Sequence, residues 1–96
     1  MRPSEALARH RDEVLAILAR YPVSNPRIFG SVARGEDREG SDLDMVVDAV
    51  GPFSYFDMAD LAIDLERLLG CPIDIGTARS LRADVARNAT TDLRPV

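Results

Sequence analysis

The chain contains no lysine and no tryptophan, a single cysteine and a single histidine, and no long uncharged run. Each absence removes a class of function. Without lysine there is neither Schiff-base chemistry nor a P-loop lysine. With Cys71 alone there is no internal disulfide and no multi-cysteine zinc site. The longest stretch free of charge runs from Ala49 to Phe56 and contains Gly51 and Pro52, too little for a membrane-spanning helix. Glu5, Arg9, Arg11, Asp12 and Glu13 interrupt the first twenty residues, so no signal-peptide core is present. These features fit a cytosolic protein. The 12 basic residues, all arginine, stand against 16 acidic ones, a net charge of −4. Phosphate contacts dominate nucleic-acid affinity, so an acidic chain without a basic block is not expected to bind nucleic acid directly. What remains is ordinary globular composition, 46% apolar and 29% charged, and 96 residues suit one domain over 1–96.

Breakers and apolar spacing divide the chain. Ser4 is placed to cap a helix running to about Arg20, with Leu7, Val14, Leu18 and Tyr21 on its apolar stripe. Pro22 and Pro26 stop it, and Arg27 to Phe29 form a short strand. Val32 to Arg34 make a brief helical turn, and Glu36 to Ser41 a polar loop between Gly35 and Gly40. Asp42 to Val50 is the strongest strand signal and reads as a central strand. Ser54 opens a second helix whose apolar face is Met58, Leu61, Ala62, Leu65, Leu68 and Leu69, closed by Gly70. Pro72 to Gly76 is a third strand. Ser80 caps a last helix from Leu81 to about Ala89, and Leu93 to Val96 is an edge strand or a loose tail. Helices alternating with strands give an α/β domain. The short link between Phe29 and Asp42 leaves no room for a full crossover, so the sheet is mixed.

Asp42 and Asp44 break the pattern of the central strand. Two apart, they project from one face, and two like charges that close repel. Aspartate is disfavoured in strands, and such violations mark functional sites. A divalent cation held by both would relieve the repulsion. Asp74 repeats the anomaly between Ile73 and Ile75. If its strand lies beside the Asp42 strand, three carboxylates converge, a donor set suited to magnesium or manganese. Gly30 and Ser31 follow the first strand. A glycine there lets the backbone approach a ligand, and a helix start favours anions. A phosphate cradle beside carboxylates is the layout for phosphoryl or nucleotidyl transfer.

Gly30-Ser31, ten intervening residues and Asp42-Leu43-Asp44 resemble the signature of the DNA polymerase β-like nucleotidyltransferase superfamily. Phe29 to Gly35 followed by Ser41 to Asp44 is similar to its minimal nucleotidyltransferase (MNT) subgroup, and Pro72-Ile73-Asp74-Ile75 matches the place of the family's third carboxylate. The resemblance implies the nucleotidyltransferase fold, ATP as substrate and two magnesium ions. It implies Asp42, Asp44 and Asp74 as catalytic metal ligands and Gly30 and Ser31 as nucleotide-binding residues. It also implies an antitoxin that transfers AMP to a tyrosine of a partner HEPN ribonuclease toxin. Two alternatives stand beside this: neutralisation by binding alone, and transfer to a small molecule such as an aminoglycoside.

Other residues read as structural. Arg34 is expected to brace its loop by pairing with Asp37 or Asp48. Ser41 caps or orients the strand entry, a turn role and a catalytic one standing equally open, and Asp48 stays outside the site. His10 is a surface or partly buried residue, and Cys71 an inert core thiol. Phe53, Tyr55 and Phe56 are expected in the core.

Overall fold

The computed structural model describes residues 1–78 and 93–96. Its elements are α1 (Pro3–Arg9), α2 (Arg11–Leu18), β1 (Val23–Phe29), α3 (Gly30–Arg34), β2 (Leu43–Ala49), α4 (Tyr55–Leu69), β3 (Ile73–Thr77) and β4 (Arg94–Pro95). They form a small mixed sheet of order β3-β2-β1-β4 flanked by helices. β1 runs antiparallel to β2 and to β4, whereas β2 and β3 are parallel, joined by α4 as the crossover. The mixed sheet, the central position of β2 and the edge-strand reading of the C-terminus agree with the sequence. The expected helix over 81–89, with its Ser80 cap, lies outside the described residues. No helix among the described residues is long and apolar enough to cross a membrane.

The alternation of β2 divides the sheet into two faces. Leu43, Met45 and Val47 are fully buried and join Val14, Leu18, Leu61, Leu65, Leu69 and Ile73 in one core. The capping box at Ser54, reciprocated by Asp57, fixes the start of α4, and Gly70 at φ 72° closes it. Leu61, Leu65 and Leu69 then fall on one buried stripe.

Three expectations need correction. The first helix is two helices, hinged at His10 (φ −112°, ψ 22°). Arg9 ends one and Asp12 and Glu13 open the next, the charge order that suits a helix C-terminus followed by an N-terminus. Ser4 accordingly lies inside α1, and Arg2 holds the cap position. The first strand begins at Val23 rather than Arg27. Pro26 does not stop it, because the register shifts between Ser24 and Arg27, and in such a bulge a missing N–H is tolerated. Asn25 takes a left-handed φ of 51° there, and the Pro26 carbonyl still accepts from Val96 N at 3.1 Å. Finally, Tyr55 and Phe56 are 82% and 83% exposed. They precede Leu61 by six and five residues, which turns them roughly 120–140° round the helix from the buried stripe. Only Phe53 packs inward, edge-on to Tyr21 with ring centroids 6.5 Å apart.

Candidate functional site

The second face of the sheet carries the polar residues. In the register, Phe29 of β1 lies opposite Asp44, and Asp44 lies beside Asp74 of β3. Residues in lateral register project from the same face, so the Asp44 and Asp74 carboxylates share one side of the sheet. Asp42 stands just before β2, exposed, with its charge acting on Asp44. Burial pushes the Asp44 carboxyl up to about 6, and the charges of Asp74 and Asp42 add to the rise while Arg34 opposes it. Among the described residues no group of three or more His, Cys, Asp or Glu side chains is arranged to hold a metal ion. Asp44 is instead a half-buried carboxylate with the charges of Asp74 and Asp42 acting on it.

Gly30 belongs to the same spot. It sits at φ 75°, where a side chain is strained, and a Cβ there would collide with Asp44 Oδ2. Glycine is therefore required both by the turn and by the neighbouring carboxylate. Ser31 follows at the start of α3, and its carbonyl accepts from Glu36 N at 2.8 Å. The structure thus brings Gly30, Asp44 and Asp74 together, with Asp42 and Ser31 adjoining them in the chain.

The loop from Gly35 to Asp42 joins these two halves. Of the two roles left open for Ser41 the structure shows the turn: Oγ accepts from Arg38 N at 2.9 Å, and Ser41 N donates to Arg38 O at 3.0 Å. Leu43 N donates to Pro72 O at 2.9 Å, locking the start of β2 to the chain leading into β3. Arg34 braces the loop through Glu36 (Nε to Oε2, 3.1 Å), not through Asp37 or Asp48. Those two have nearer partners. Asp48 is held by Arg27 at 2.6 Å and by Asn25 Nδ2 at 3.2 Å, away from the site. Asp37 is 3% exposed, and its Oδ2 accepts from Ser4 N at 2.9 Å. Burial would push its carboxyl up, but the hydrogen bonds from Ser4, its own backbone amide and the charge of Arg2 hold it below the ordinary range. No sequence signal announces that contact, because the partners are 33 residues apart.

Two residues behave as the sequence implied. His10 Nδ1 lies 3.0 Å from Glu13 Oε1 at the helix junction, remote from the carboxylates in the chain. Cys71 is buried and free, with its thiol pushed up mainly by burial.

The site is thus a glycine turn packed on a strand aspartate within a mixed sheet. The family model of the nucleotidyltransferase domain matches residues 9–96, so the chain belongs to that family. It is 32% identical over 87 residues to protein adenylyltransferase MntA of Thermococcus cleftensis, covering 91% of this chain and 85% of that one. A solved structure described as that of a minimal nucleotidyltransferase superposes with a TM-score of 0.83 at 39% identity, covering 97% and 95% of the two chains. The same fold recurs in the complex of the tri-AMPylated Shewanella oneidensis HEPN toxin with MNT antitoxin, with a TM-score of 0.71 at 18% identity over 92% of this chain and 69% of that one.

Proposed function

We propose that this chain is an antitoxin enzyme that transfers AMP from ATP to a hydroxyl, a tyrosine's, on a partner HEPN toxin and thereby silences it. The observation that carries the reading is the Asp44–Asp74 pair across β2 and β3, with Gly30 packed against Asp44. The MntA relative supports a protein as acceptor.

Asp42, Asp44 and Asp74 are assigned as ligands of divalent metal, two magnesium ions with manganese as a substitute. Their donors are all oxygen, and a cation would neutralise the negative charges that Asp42 and Asp74 bring to bear on Asp44. Magnesium bound there would stabilise the entering and leaving oxygens of an in-line displacement. The chain's own residues supply the rest. Gly30 keeps the turn tight against Asp44, and the Ser31 hydroxyl offers a donor to the phosphates. Asp74 is assigned to the attacking hydroxyl. That oxygen bonds to the α-phosphorus as the bond to pyrophosphate breaks, its proton passing to the Asp74 carboxylate.

The test mixes the purified chain with ATP, magnesium and the toxin encoded beside it, and measures intact toxin mass. A gain of one AMP per modified residue is expected, together with loss of toxin activity. Full inhibition through a stable complex, with no mass gain, would replace transfer by occlusion.

A further inference from the structure

We infer that Asp37 is a positioning residue: its buried carboxylate ties the loop bearing Asp42 to helix α1. The inference deepens the site assignment above and rests on it for its catalytic consequence alone.

The loop over 35–42 closes on itself through its own hydrogen bonds. Glu36 N binds back to Ser31 O, and the turn over 38–41 closes on itself through Ser41. Those bonds fix the loop's shape, not its place. Among the described residues two polar contacts tie it to the N-terminal segment and α1. One is an exposed ion pair at 3.0 Å between the amino group of Met1 and Glu39, of the kind that contributes little. The other is Asp37 Oδ2 accepting from Ser4 N, within the first turn of α1, at 2.9 Å. Here the acceptor is buried and charged, so the bond is of the strong class.

The carboxylate is tied through one oxygen and free at the other. Asp37 is 3% exposed, and its Oδ1 has no hydrogen-bond partner. Burial costs this carboxylate part of what its hydrogen bonds contribute. What the carboxylate does supply is a fixed point midway between Ser31 and Asp42. From there the closed 38–41 turn carries Asp42 to the edge of the site, where Leu43 is locked to Pro72. A displacement of about 1 Å at a reacting group is enough to cost on the order of a hundredfold in rate.

The test compares Asp37→Ala and Asp37→Asn with the parent chain. Asparagine retains an oxygen that can accept from Ser4 N; alanine does not. Amide hydrogen exchange over residues 38–43 is expected to quicken at least tenfold in Asp37→Ala and to stay near the parent rate in Asp37→Asn. The melting temperature of Asp37→Ala should fall by no more than about 5 °C. The kcat for AMP transfer should drop at least tenfold in Asp37→Ala, with KM for ATP within about twofold, and recover in Asp37→Asn. Unchanged exchange over 38–43 in Asp37→Ala would overturn the inference, as would a large melting loss with kcat per folded molecule unchanged. Faster exchange in a chain whose parent transfers no AMP would uphold the anchoring and refute the site assignment instead.

Discussion

Asp44 and Asp48 stand four residues apart on the same face of β2, yet their surroundings differ. Asp48 is matched by Arg27 at 2.6 Å and by Asn25, so its charge is balanced within the fold. Asp44 has no ion-pair partner among the described residues; burial, with the charges of Asp74 and Asp42 adding to it, raises its carboxyl to about 6. One aspartate closes a structural contact and the other is kept energised beside Gly30. The opposite face of the strand, Leu43, Met45 and Val47, is fully buried and carries only packing. The two-residue period of a single strand thus sets the carboxylates apart from Leu43, Met45 and Val47.

The largest effect should come from giving the core face what the site face tolerates. Val47→Asp places an unpaired carboxylate where Val47 is 0% exposed. A loss of about 4 kcal/mol or more is expected, comparable with the stability of a small domain. Thermal unfolding followed by circular dichroism should show no cooperative transition.

Gly30→Ala tests the site face. It combines strain at φ 75° with a collision against Asp44 Oδ2. A loss of about 1–3 kcal/mol is expected in urea denaturation. AMP transfer should fall at least a hundredfold, because the collision displaces the carboxylate itself.

Asp44→Asn should act in the other direction on stability. In metal-free protein the folded state holds the Asp44 proton up to about pH 6, whereas the unfolded chain releases it near the ordinary value of 3.8. The folded state therefore binds more protons between those values, and stability falls as pH rises through that window. Asparagine removes the effect. Allowing for solvent screening, the variant should be more stable than the parent by about 1–2 kcal/mol at pH 7, with the difference vanishing below about pH 4. Paired denaturation curves at pH 3.5 and pH 7 check this, and AMP transfer by the variant should be abolished.

Much of this was legible along the chain. Gly30-Ser31 and Asp42-Leu43-Asp44 are contiguous, and their unusual residue types stand out from the neighbouring apolar ones. Asp74 stood out for the same reason, between two isoleucines. The helix over 55–69 was readable because Ser54 and Gly70 bracket a regular stripe. The interruption at His10 was less so, since the apolar spacing continues across it and only the charge order changes sign. Pro26 misled because its meaning depends on whether its N–H has a partner, which a bulge decides. Tyr55 and Phe56 misled because an aromatic pair looks apolar until the phase of the helix is known.

The sequence by itself determined the residue types of the site, the central strand and the alternation that separates core from carboxylates. Such features are local, set by spacing of two or four residues along one element. Tertiary structure alone decided that Asp74 lies beside Asp44, that Arg27 rather than Arg34 takes Asp48, and that Asp37 reaches Ser4. These contacts join segments 21 to 33 residues apart. Strand order, register and the seating of one helix fix them, and no local preference encodes those.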